Sequence, residues 1–250
     1  MHFHPNRRFA ASHLGCPFGK TEAWVVLDVP AGGGTVYVGT TRPVAREEWA
    51  ELVEAQAADA MVDLLNPLTV NAGDAVVVPA STPHSIGPGI FVVELQEPTD
   101  FSILLEWDGF GIDGWVNGHL GLGFDVALDA VRPDAVGGEE LDRLIRRLAD
   151  NDGVGAPRPA LPAVAEPYFR AWRVDDTGTE VTVPAAFSVV VVTGGAGTMQ
   201  WADGSEPLAR GDAFVVPHAA GPLTFSPGVS AVVSQPPAPD APEPDERGPQ

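Results

Sequence analysis

The chain has 250 residues, a formal net charge of -20, a pI near 4.4 and a single cysteine. So acidic a surface repels phosphate backbones and anionic headgroups, which argues against nucleic acid or a membrane surface as partner. Cys16 alone cannot close an intrachain disulfide, so a reducing, cytoplasmic setting is expected. No run approaches the ~20 apolar residues of a membrane span, and no basic segment leads into an apolar one.

In chain order, "MHFHPNRR" puts His2 and His4 one residue apart, on one face of a strand. "FGKTEAWVVLDV" follows, with the only lysine, Lys20, two positions before Glu22, and with Glu22 alternating with Trp24 and Val26. "TVYVG" is the next strand-length valine run. "PVAREEWAELVEAQAADAMVDLLN" then breaks the β pattern: Trp49, Leu52, Val53, Ala57, Ala60, Met61 and Leu64 recur at three- and four-residue spacings, predicting a helical insertion over about 43–66. "DAVVVP" and "GIFVVELQ" read as strands, the latter carrying Glu94 and Gln96 on the face of Ile90 and Val92. "GGEELDRLIRRLAD" predicts a second helix with Leu141, Leu144, Ile145 and Leu148 as its stripe, and "NDGVGAPRPALPAVAEP" a Pro/Gly linker. "FSVVVVT", "DAFVVP" and "VSAVVS" resume the strands. Residues 236–250, Pro-rich and acidic, carry little to bury and are expected to be disordered.

The two halves repeat. "AGDAVVVPASTPHSIGPGIFVVELQEP" aligns with "RGDAFVVPHAAGPLTFSPGVSAVVSQPP", pairing Gly73 with Gly211, Asp74 with Asp212, Pro79 with Pro217 and His84 with Pro222. One architecture in two copies is implied, with a histidine at that corner in the first copy alone. His13, His119 and His218 read as surface or hydrogen-bonded histidines.

The spacing from Gly73 through Pro79 and Ser81 to His84 resembles the second motif of the cupin superfamily, with Ser81 where glycine is common. His2, His4 and Glu22 resemble the order of its first motif. More closely, "HFHPNRRFAASHLGCPFGKTEAWVVLD" and "VNAGDAVVVPASTPHSIGPGIFVVELQEPTDF", with the helical insertion between them, resemble type I mannose-6-phosphate isomerases from about His2 to Asp108, and more weakly through "GDAFVVP". The resemblance implies a mainly β fold of two cupin (jelly-roll) barrels. Residues 1–130 would form the metal-bearing domain, 131–166 a helix and linker, and 167–235 a degenerate second cupin.

It also implies one metal ion per chain, Zn2+ or else Fe2+ or Mn2+, held by His2, His4, Glu22 and His84. The reaction implied is interconversion of mannose 6-phosphate and fructose 6-phosphate through an enediol. A divalent ion would polarise the sugar oxygens, Glu94 would serve as base beside the carbon, and Lys20 as donor to a substrate oxygen. Three departures from the family pattern stand out. Ile103 and Leu104 occupy the place of a tyrosine and an arginine, His2 replaces the usual glutamine, and the segment that ordinarily precedes the histidine strand is absent. A truncated or misassigned start is expected on the last ground. The first departure also leaves open an isomerase of an unphosphorylated sugar, or a non-catalytic sugar-binding or regulatory cupin. A metal-dependent oxygenase is a further reading of the same fold.

Overall fold

The structure is a computed structural model and describes residues 1–148, 156–175 and 178–244. The chain is mainly β and divides into two compact units. The first is built chiefly from Met1–Ala72 and Val77–Leu144, the second from Gly73–Val76 and Ile145–Glu243.

Up to residue 104 the strands are β1 (His2–Phe3), β2 (Glu22–Asp28), β3 (Gly34–Thr40), β4 (Leu65–Val70), β5 (Ala75–Val78), β6 (His84–Ile86), β7 (Phe91–Gln96) and β8 (Ile103–Leu104), all in the first unit except Ala75 and Val76 of β5. One sheet runs β4-β3-β6-β1-β8; β7, β2 and β5 are consecutive in another. Each valine run predicted for this half overlaps one of these strands, with Val29 and Ile90 falling just outside β2 and β7. Antiparallel register sets His2 opposite both His84 and Leu104, and Trp24 opposite Glu94. Since residues directly opposite share a face, Glu94 joins Trp24 and Glu22 on one side of its sheet.

The predicted helical insertion is present but broken. Helices Arg46–Ala55 and Ala58–Asp63 flank Gln56, whose backbone is left-handed at φ 46°, and β4 takes over from Leu65. Gln56 Nε2 donates to the carbonyls of Val53 (2.8 Å) and Leu105 (3.3 Å), and its Oε1 accepts from the amides of Trp107 (2.7 Å) and Asp108 (3.1 Å). Several net hydrogen bonds of about 1 kcal/mol each outweigh a left-handed residue costing roughly 1–2 kcal/mol. Trp49, Val53, Met61 and Leu64 pack with Phe3, Ile103, Leu105 and Leu128 in this unit's core.

The second predicted helix is shorter than its stripe suggests. It spans Gly138–Arg143, and Ile145–Arg146 is instead a strand, β9, whose residues pair with Val76 and Ala75 of β5. A β-branched residue offered an unpaired strand edge gains more there than by extending the helix. The helix prediction's last residues, 149–150, and the linker's residues 151–155 lie outside the described residues.

The second unit continues with β10 (Arg158–Pro159), β11 (Arg170–Val174), β12 (Val181–Val183), β13 (Ser188–Trp201), β14 (Gly204–Ala209), β15 (Ala213–Val216), β16 (Leu223–Phe225) and β17 (Val229–Gln235). Its order is β10-β11-β17-β13-β16-β12, with β14 and β15 also pairing with β13. The 14-residue β13 shifts register against β17 between Val192 and Gly194, a bulge that lets one strand serve both sides of a curled sheet. Val181, Val183, Val190, Val192, Leu223, Phe225 and Val233 fill its interior. Part of the repeat is visible in the strands: β15 and β17 begin at the same displacement from β5 and β7, and Gly73 and Gly211 turn into their strands with φ 94° and 98°. Residues 236–244 of the predicted tail carry no helix or strand, and 245–250 lie outside the described residues. Among the described residues no helix is long and apolar enough to cross a membrane.

Candidate functional site

Three chain segments meet in the first unit: 2–7, 19–24 and 80–84. Gly19 lets the first two touch, because a Cβ there would lie 2.7 Å from the Pro5 carbonyl oxygen and 2.8 Å from the Arg7 nitrogen. The Lys20 amide donates to the Pro5 carbonyl (3.1 Å), and the Ser81 amide to the His4 carbonyl (2.6 Å). Ser81 is left-handed at φ 70°, which explains why a glycine suits this corner. Asn6 caps the short helix Arg7–Phe9 through the Phe9 amide and reaches the Ser81 hydroxyl at 3.3 Å.

A buried carboxylate completes the lacing. Glu97, 3% exposed, accepts from Arg7 Nε at 2.6 Å with one oxygen and from the Thr21 amide at 2.9 Å with the other. A buried charge is costly unless paired and hydrogen-bonded, and Glu97 is both. The segment 4–7 is thereby fixed against 20–22.

This framework brings together every ligand residue expected from the sequence. The imidazoles of His2, His4 and His84 lie with ring centroids 4.5–4.9 Å apart, and each offers a nitrogen within 4.8 Å of the other two. Glu22 joins them: Oε2 is 2.8 Å from His4 Nε2 and Oε1 is 3.2 Å from His84 Nε2. His4, His84 and Glu22 are each at most 2% exposed; His2 is half-buried.

The tautomers follow from the partners. His4 Nδ1 lies 2.8 Å from the Phe101 carbonyl and His84 Nδ1 2.8 Å from the Thr82 carbonyl, so each Nδ1 carries the hydrogen and each Nε2 a lone pair. Both lone pairs face the Glu22 carboxylate, and His84 Nε2 has no hydrogen-bond partner at all. Buried acceptors facing one another call for a cation between them, and the N/O donor set suits a divalent first-row metal. Lys20 bears part of this need, its ammonium reaching Glu22 Oε2 (2.6 Å), His4 Nε2 (3.2 Å) and Glu94 Oε1 (3.3 Å).

Burial, with the neighbouring His84 and His4, lowers the His2 imidazole from 6.5 to about 2; burial also lowers His4. Both are therefore neutral and fit to ligate. For Glu22, burial pushes upward, but its close contacts with the His4 and His84 rings outweigh it and hold the carboxyl below the usual range. Burial first, and the Glu22 charge second, raise the Glu94 carboxyl against the pull of Lys20. Glu94 sits at the edge, its side chain 36% exposed.

Several contributors lie beyond the sequence reading. Trp24 Nε1 donates to Glu22 Oε1 at 2.9 Å, a contact foreshadowed by their shared strand face. The Phe101 and Thr82 carbonyls and Glu97 had no sequence signal, since carbonyls are sequence-blind and Glu97 sits in the acidic, turn-like run "QEPTDF". Gln96, grouped with Glu94 in the sequence reading, is exposed and donates to the Thr99 carbonyl. Leu104 faces His2 across β1 and β8, so no guanidinium stands there. His13 and His119 make local hydrogen bonds, to the Phe9 and Trp115 carbonyls.

Fold and site together define a mainly β protein with a buried, histidine-rich centre suited to a divalent ion. No family model matches the chain. It is 26% identical over 228 residues to the mannose-6-phosphate isomerase of Streptococcus mutans, covering 86% of this chain and 63% of that protein, so the chain spans less than two thirds of that relative. The crystal structure of mannose 6-phosphate isomerase from Bacillus subtilis superposes with a TM-score of 0.70 at 23% identity, covering 94% of this chain and 70% of the other. A mannose 6-phosphate isomerase bound with zinc and yttrium superposes with a TM-score of 0.64 at 13% identity, over 95% of this chain and 76% of the other. The chain is a relative of the mannose-6-phosphate isomerases and shares their fold.

Proposed function

We propose that the chain is a metal-dependent aldose–ketose isomerase of two cupin barrels, interconverting mannose 6-phosphate and fructose 6-phosphate, with its metal in the first barrel alone. The observation that carries this reading is the meeting of three imidazoles and one carboxylate in a largely buried site beside a second carboxylate and an ammonium. His2, His4, Glu22 and His84 would hold the ion; three nitrogens and one oxygen suit Zn2+, with Fe2+ or Mn2+ as alternatives. The bound ion would polarise the sugar carbonyl and its neighbouring hydroxyl.

The chain's own residues supply the proton chemistry. Isomerisation moves a proton between C1 and C2, which requires a base that is ionised yet not too weak. Glu94 has a raised pKa, a position at the edge and a route to solvent, and serves as that base. Lys20, within reach of both Glu22 and Glu94, donates to the developing enediolate oxygen. Trp24 holds the Glu22 carboxylate in orientation. A cytoplasmic setting follows from the lone Cys16.

The test is metal-loaded protein with mannose 6-phosphate in D2O, followed for fructose 6-phosphate and for deuterium at the exchanging carbon. Interconversion that fails in Glu94→Gln supports the reading; metal-loaded protein giving neither product nor deuterium incorporation overturns it. Leu104 opposite His2, and Arg7 committed to Glu97, favour a second reading in which the sugar carries no phosphate. Turnover of mannose in place of mannose 6-phosphate would establish it. Sugar bound with no turnover of either would leave a non-catalytic sugar-binding or regulatory cupin.

A further inference from the structure

The second unit has an open pocket of its own, of about 450 Å3, within the range that takes a small organic ligand. Its walls are apolar: Met199, Trp201, Phe214 and Val216 line it, and Val215 at its rim is 68% exposed. Pro217, Ala219 and Ala220, also in the lining, are the repeat counterparts of Pro79, Ser81 and Thr82, the corner that presents His84 in the first unit. In the second copy Pro222 stands where the first has His84, and the corner opens onto apolar surface.

Two features fix the kind of ligand. The lining contains two carboxylates, Asp203 and Glu206, and no basic side chain. Neither carboxylate has a hydrogen bond or ion pair among the described residues. Glu206 lies directly across from Met199 in the β13–β14 pair, so it stands on the pocket face and not on the far side of the hairpin. The indole of Trp201 lies over Gly204, where a Cβ would come 2.8 Å from Cζ2; the absence of a side chain there leaves the ring flat against the turn that carries Asp203. An aromatic face beside uncompensated negative charge attracts a cation through both the ring quadrupole and direct Coulomb force. An anion, a sugar phosphate included, finds only repulsion there.

We propose that this pocket binds a small organic ammonium ion with an apolar body, the body against Trp201, Phe214 and Met199 and the charge toward Glu206 and Asp203. The site is separate from the histidine centre and independent of what that centre does.

The probe is 2-phenylethylammonium, compared with the near-isosteric neutral 2-phenylethanol. Binding is followed on the full chain, loaded with Zn2+, by the indole N–H resonance of Trp201, assigned through Trp201→Phe. The ammonium is expected to shift that resonance with a Kd on the order of 1 mM or tighter, and the alcohol to bind about tenfold more weakly. Glu206→Gln with Asp203→Asn, both exposed positions that leave the fold intact, should bring the ammonium down to the alcohol. Equal binding of the two probes by the unaltered chain, an ammonium affinity unchanged in the double variant, or no shift with the ammonium at 20 times that expected Kd would each overturn the proposal.

Discussion

The chain uses one strand pattern twice and furnishes it differently. In the first unit the corner after β5 delivers His84 into a cluster of imidazoles, a carboxylate and a lysine, all but His2 nearly dry. In the second the same corner after β15 delivers Pro222, and valines with Phe225 fill the interior. Two strands recur at one displacement, β5 as β15 and β7 as β17, and that shared stretch of backbone does not by itself create a site. The difference lies in segments without a counterpart in the repeat: residues 2–7 and 19–22, clasped by Glu97, bring four further polar side chains, His2, His4, Lys20 and Glu22, to the place where His84 waits.

The harshest test of that contrast is His84→Ala. It removes one of the four proposed ligands and leaves the other three, and metal affinity should fall more than about a hundredfold, beyond the usual cost of losing an outer-shell partner. Equilibrium dialysis with Zn2+ measures it. Glu97→Gln attacks the clasp instead of the ligands. With Arg7 left facing a neutral amide, stability should drop by about 1–3 kcal/mol and metal affinity by roughly tenfold, read from urea midpoints and the same dialysis.

The pH dependence of the metal-free chain gives a third, gentler comparison. Native His2 and His4 are held neutral, whereas in the unfolded chain each takes a proton near 6.5, so the unfolded state binds more protons below that value. Stability therefore falls as pH drops below about 6.5, by on the order of 1 kcal/mol per imidazole for each pH unit. Urea midpoints at pH 7.5 and 5.5 should show this loss in the chain without metal and show less of it in His2→Gln. Ser81→Gly exchanges a strained left-handed serine for glycine and gives up the Asn6 contact; the two nearly offset, and the midpoint should move by no more than about 0.5 kcal/mol. Smallest of all, Pro222→His should add no metal site to the second unit, because no described residue there stands in for His2, His4 and Glu22; a second equivalent of bound Zn2+ would break the comparison.

Much of this was legible in the residues. Valine runs bounded by turn formers gave the strands, and alternation along "TEAWVV" gave the inward face of Glu22. The convergence of His2, His4 and His84 followed from motif order and not from local physics, since no periodicity tells which distant strands will be neighbours. Where local preference misled, tertiary contacts had prevailed: Gln56 bends the first helix to reach the 105–108 backbone, and Ile145 leaves the second to pair with Val76. Glu97 stayed hidden because an acidic residue in a turn-like run reads as solvated until something is seen to bury it.

Lys20 has a consequence for how the centre is filled. Its ammonium already rests among Glu22, Glu94 and His4, acting as a resident counterion to the carboxylates. In the proposed metal site, entry of the ion would be an exchange in which Lys20 gives up its hold on Glu22, and in the metal-free chain that ammonium offsets part of the buried negative charge and so helps the centre survive empty.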